Sequence, residues 1–193
     1  NTQVSETNNH LLKNKHANNA EHMEPQLTST DEKLKLEHEA AKLFMHNYEQ
    51  QTGREIRHIW HNKPIRPDIS CVLEGTRLDL EIAHLYGSEQ EAMQILKRKL
   101  TEKTRLALQE QACCSNVHER LLNALNRILL NKSQKHYDSK HVWLVIRNAH
   151  PAWKAQEIKT LKGMINVPPT HPFEQIWIVA DLRAKTGIVQ LFP

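Results

Sequence analysis

Three features of the chain predict an α/β fold: an amphipathic helical run near its start, a hairpin with strictly alternating residues in its middle, and two later segments apolar on both faces. From Thr30, placed as an N-cap, Asp31 and Glu32 lead into a run in which Leu34, Leu36, Ala40, Leu43, Phe44 and Tyr48 recur at helical spacing up to Gly53. A short strand is expected from Glu55 to Trp60, then the hairpin from Pro67 to Ala83, then a long helical region from Ser88 to about Gln111. Leu121, Leu122, Leu125, Ile128 and Leu129 predict a helix from Val117 to about Leu130. His141 to Arg147 and Gln175 to Asp181 have the doubly apolar pattern of strands buried inside a sheet, with a helix from Pro151 to about Met164 between them. Gly187 turns the chain into a last strand, Ile188 to Phe192.

The hairpin carries the chemistry. Between Arg77 and His84 the alternation sends Leu78, Leu80 and Ile82 to one face and Asp79, Glu81 and Ala83 to the other. A two-residue turn at Gly75-Thr76 pairs Glu74 with Arg77 and sets Asp68 opposite Ala83 and Ser70 opposite Glu81. Asp68 and Glu81 are then diagonal neighbours on one face, about 5–8 Å apart between Cβ atoms. Two carboxylates that close repel, and a hard divalent cation removes the repulsion.

At these residues the chain resembles the PD-(D/E)XK nuclease superfamily, whose motif is Pro-Asp, a variable spacer, and then acid-x-Lys. Pro67-Asp68 matches the first half and Glu81-Ile82-Ala83 the second, with Ala83 where the family has lysine. The resemblance covers most of Thr30 to Asp181, because the superfamily core runs helix, three strands, helix, strand. It implies a restriction-endonuclease-like core, a central mixed sheet flanked by helices. It also implies Mg²⁺ or Mn²⁺ as cofactor, held by Asp68, Glu81 and the backbone carbonyl of Ile82. Many members carry an acid on the first helix that points at the metal; here Glu37 borders the buried stripe. The family lysine orients the attacking water, and Lys97, one turn along a helix edge with Gln94 and Arg98, is the first substitute for it. His84 faces the apolar side and does not replace Ala83 on simple alternation.

Lys97, Arg98, Lys99, Lys103 and Arg105 crowd the helix that follows the acidic strand, where they suit contact with a phosphate backbone. Lys132, Lys135, Lys140 and His136 form a second basic stretch, expected as an exposed loop. The net charge of +4 and pI near 9.0 point mildly to a polyanionic partner. Asp79 shares the face of Glu81 nearer the turn and is expected as a supporting or rim acid.

The chain has 193 residues, 39% hydrophobic and 25% charged, enough for one globular domain, placed at 29–193. Residues 1–28, polar and Asn-rich, suit a disordered tail or linker. No run reaches membrane-spanning length and no signal peptide is visible, so the expected setting is cytoplasmic. The cysteines Cys71, Cys113 and Cys114 suit reduced structural thiols, and the histidines, despite His58 and His61, lack zinc-ligand spacing. The tryptophans Trp60, Trp143, Trp153 and Trp177 are expected mainly in the core. No phosphate-binding glycine loop, nucleophile elbow or repeat is present.

The resulting expectation is a Mg²⁺- or Mn²⁺-dependent endonuclease acting on DNA. The alternative is a nuclease-fold module that binds or recruits nucleic acid without cutting it, and Ala83 favours that alternative. A third possibility is that the acids form only the exposed side of a sheet in a protein-interaction domain. The resemblance also raises homodimerisation or membership of a larger nucleic-acid-processing complex.

Overall fold

The computed structural model describes residues 29–63, 67–87, 106 and 116–193. Its elements are α1 (Ser29–Thr52), β1 (Ile56–His61), β2 (Ile69–Leu73), β3 (Thr76–Leu85), α2 (Val117–Ser133), β4 (Val142–Asn148), α3 (Ala155–Leu161) with a short 3₁₀ turn (Lys162–Met164), β5 (Gln175–Val179) and β6 (Ile188–Phe192). The six strands form one open mixed sheet in the order β1-β2-β3-β4-β5-β6. β3, β4 and β5 run parallel at its centre, and the other pairings are antiparallel.

Helices cover both faces, which is why the central strands are apolar on both sides. On one face α1 packs Ala40, Ala41, Phe44 and Tyr48 over Leu78, Leu80, Ile82, Trp143, Val145 and Trp177. Tyr48 meets Trp143 and Trp177 edge-on at 5.3 and 5.7 Å between ring centroids, a geometry aromatic quadrupoles favour. On the other face α2 and α3 pack Leu121, Leu125, Leu129, Trp153 and Ile158 over Val142, Leu144, Ile146, Ile176 and Ile178. Asn116 caps α2: its side-chain oxygen accepts from the Glu119 N–H at 3.3 Å, and its amide donates to the Glu119 carboxylate. At the far end of β4 the buried amide of Asn148 lies 3.1, 3.0 and 2.8 Å from the carbonyls of His150, Trp153 and Ala180. The ends of β4 and β5 are thereby fixed together.

Several elements differ in detail from expectation. The chain is already helical at Ser29, so Thr30 lies inside α1 and does not cap it. α2 continues to Ser133, past the last apolar residue of its stripe, and α3 starts only at Ala155 because residues 151–154 first turn the chain away from β4. The hairpin turn is Glu74-Gly75, with Leu73 paired to Thr76. Both turn residues have positive φ, 47° and 82°, as a two-residue turn matched to strand twist demands. That moves the register by two residues, which leaves every side chain on its expected face. Ser70 therefore pairs with Asp79 rather than with Glu81. The tail at 1–28 and the helical region expected from Ser88 to Gln111, Leu106 apart, lie outside the described residues. No described helix is long and apolar enough to cross a membrane.

Candidate metal and phosphodiester site

The site forms where β2 begins and β3 continues past it. With Ser70 paired to Asp79, the same register carries Asp68 directly opposite Glu81. The Ile82 N–H, which has no β2 backbone partner at this point, donates to Asp68 Oδ2 at 2.9 Å. N–H and C=O of one strand residue point to the same side of an antiparallel ladder, so the Ile82 carbonyl lies on the β2 side of β3 as well. Asn62 holds the incoming loop: its N–H donates to the Asp68 carbonyl at 3.1 Å, and its amide donates to the Pro67 carbonyl at 2.9 Å and to Ser70 Oγ at 2.7 Å.

Burial raises the Asp68 carboxyl, and the adjoining Glu81 raises it further. Burial also works against ionised Glu81, but the neighbouring Asp68, the Lys132 charge and the Tyr137 hydroxyl together hold it below its ordinary value. Lys132 Nζ, from the last turn of α2, lies 3.4 Å from Glu81 Oε2, and Lys135 Nζ lies 3.9 Å from the same oxygen. The Tyr137 hydroxyl donates to Glu81 Oε2. Burial, and then the charge of Lys132, lower the Lys135 ammonium.

Glu37 approaches from α1. It is only 6% exposed, and its carboxyl is raised chiefly by burial, with Lys33 and His61 acting against the rise and Glu81 adding to it. Lys33 reaches it at 3.7 Å.

Comparison with known proteins finds no matching family model, no matching curated protein and no matching solved structure.

The structure brings together Asp68, Glu81 and the Ile82 backbone, with Glu37 electrostatically linked to Glu81. Asp79 is not part of the pair. It is buried beside it, accepting from Ser70 Oγ at 2.5 Å and from Arg77 Nε at 3.0 Å, and Ser139, Ser70 and Arg77 together hold it below its ordinary value against the effect of burial. Ala83 packs partly buried against the α2 side of the core. His84 lies on the α1 face, as alternation implies. Its Nε2 is buried without a hydrogen bond, and burial followed by the Arg147 charge lowers the ring to about 4. Lys97, Arg98, Lys99, Lys103 and Arg105 lie outside the described residues, as do Cys113 and Cys114. Cys71 is a buried free thiol, raised to about 12 mainly by that burial.

The cations at the pair come from the second basic stretch. Lys132 is not in a solvated loop but in helix α2, directed onto Glu81 with a side chain only 19% exposed. Tyr137 carried no signal of its own in the sequence. Its place depends on the parallel pairing of β3 with β4, which brings the segment before β4 beside Glu81.

Among the described residues no group of three or more His, Cys, Asp and Glu side chains is arranged to hold a metal ion. The pair itself supplies two carboxylates and a strand carbonyl. That suits Mg²⁺, which commonly binds through one or two carboxylates and keeps several waters. It does not suit zinc, which favours His and Cys.

Proposed function

We propose that this chain is a metal-dependent nuclease with a restriction-endonuclease-like core, cleaving phosphodiester bonds in DNA. The observation that carries the proposal is the placement of half-buried Asp68 opposite buried Glu81, with the Ile82 N–H on one carboxylate and Lys132 on the other. Two neighbouring acids are costly to ionise together unless a cation lies between them. Asp68, Glu81 and the Ile82 carbonyl would hold Mg²⁺ or Mn²⁺, which when bound polarises a phosphoryl oxygen and acidifies a water. Lys132 stands in for the lysine that Ala83 replaces, orienting the attacking water and countering charge on the phosphate. Tyr137 fixes Glu81 by hydrogen bonding, and Glu37 borders the pair from α1. Lys97, Arg98, Lys99, Lys103 and Arg105 are assigned to the backbone of the bound strand.

The test is cleavage of plasmid and linear DNA with Mg²⁺ or Mn²⁺. Activity should depend on the metal and vanish in Asp68→Asn and in Glu81→Gln. Cleavage that persists in both variants removes the assignment.

A second reading has one observation in its favour: Lys132, Lys135 and Tyr137 on Glu81 and the Ile82 N–H on Asp68 partner both acids without a metal. On that reading the chain is a nuclease-fold binding module. Salt-sensitive mobility shifts of DNA, with no cleavage in any divalent metal and no change in Glu81→Gln, would select it.

A further inference from the structure

We infer that Trp60 is a base-stacking platform, so that the substrate reaches the Asp68–Glu81 site as an unpaired single strand of DNA. The inference rests on the reading of that site as a nuclease centre. Of the four tryptophans, Trp143, Trp153 and Trp177 are 4% exposed or less, whereas Trp60 is 38% exposed. It is the tryptophan set on the edge strand β1.

Its position follows from the register. Trp60 pairs with Ser70 across β1 and β2, and Ser70 pairs with Asp79 across β2 and β3. The Arg77 guanidinium lies 5.7 Å from the centre of the Trp60 ring and donates to Asp79 at 3.0 Å and to Ser70 Oγ at 3.0 Å. The indole is therefore on the face that carries Asp79 and Glu81. Arg77 braces the ring through a cation–π contact. Upstream, β1 is bulged between Arg57 and Trp60, with His58 at a φ of 63°, and bulges on edge strands re-aim the side chains beside them.

Strand rise and spacing put Trp60 roughly 8 Å from Asp68 and roughly 12 Å from Glu81 between Cα atoms. Cations mark both ends of that path: Arg77 at the ring, and Lys132 and Lys135 at the carboxylates. An aromatic ring beside a line of cations is how proteins hold a single strand without reading its sequence. A base offers its flat face to an indole only when it is unpaired, so a blunt duplex cannot use this platform.

Because the other three tryptophans are buried, quenching of tryptophan emission reports Trp60. The test titrates the full chain, without metal, with a short oligothymidylate and with a blunt duplex of equal length, and follows binding in parallel by anisotropy of labelled DNA. The single strand should quench emission saturably and the duplex should not. Trp60→Leu should abolish the quenching and weaken single-strand binding about tenfold, with Trp60→Tyr recovering most of the affinity. Single-strand binding that leaves the emission unchanged, equal quenching by the duplex, or absence of single-strand binding would each overturn the inference. Asp68-dependent cleavage of blunt duplex with silent Trp60 emission keeps the nuclease reading and removes the platform. Quenching in the metal-free titration, with no cleavage of the same single strand once Mg²⁺ or Mn²⁺ is added, keeps the platform and removes the nuclease.

Discussion

Metal binding at the Asp68–Glu81 pair must displace a carboxyl proton, so its affinity should rise steeply with pH. Asp68 is the group that holds that proton, its carboxyl raised from 3.8 to about 8 by burial and then by Glu81. Below that value each ion bound expels about one proton, and apparent affinity climbs about tenfold per pH unit. From about pH 6 to about pH 8 the gain is roughly a hundredfold, or about 2.7 kcal/mol. Above that range the slope should flatten. Titration calorimetry with Mn²⁺ in buffers of different ionisation heats measures both the affinity and the protons released. Asp68→Asn should lose the slope together with most of the affinity. The same proton sets the sign for the metal-free protein. A carboxyl raised on folding gives stability that is full below its unfolded value and lost as pH rises through about 8. Glu81, held below its ordinary value, acts in the opposite sense only at the acid end. Metal-free thermal stability should therefore fall between about pH 5 and about pH 8, and added Mn²⁺ should restore it. An affinity that does not change with pH, without proton release, would refute the reasoning.

Other consequences are open to direct measurement. Lys132→Met should lower cleavage by about a hundredfold or more while leaving Mn²⁺ affinity equal or higher, because a cation competing for Glu81 is gone. Lys135→Met should do less, since its side chain is 53% exposed and 3.9 Å from the carboxylate. Leu125→Ala, in the fully buried seam between α2 and the sheet, should cost about 2–5 kcal/mol, read from the urea midpoint.

Much of the sheet was legible because its strands are strongly patterned. Leu78, Leu80 and Ile82 alternate with Asp79 and Glu81, and the doubly apolar runs at Val142 and Ile176 leave little choice but interior strands. The turn was harder. A glycine-first turn at Gly75-Thr76 was expected, yet here Glu74 occupies the first positive-φ position and Gly75 the second. Because strand faces repeat every two residues, the two-residue error in register spared the faces, so Asp68 and Glu81 still share one, directly opposite instead of diagonal. Glu37 was legible as a border residue, since its neighbours Ala40 and Ala41 define the buried stripe of α1. Lys132, Lys135 and Tyr137 were not, because what brings them to Glu81 is tertiary: β3 and β4 pair in parallel, and α2 returns antiparallel to them. Tyr137 lies 56 residues from Glu81 in the chain, and no local pattern announces such a contact. Trp60 was expected in the core with the other tryptophans; it stands in a short, mostly polar strand at the sheet edge, and that position exposes it.

The most direct measurement is anomalous diffraction from crystals of the full chain soaked in Mn²⁺. The account predicts one ion between Asp68 and Glu81, with the Ile82 carbonyl among its ligands and Lys132 withdrawn from Glu81. A map with no ion between the two carboxyls at saturating Mn²⁺ would contradict it.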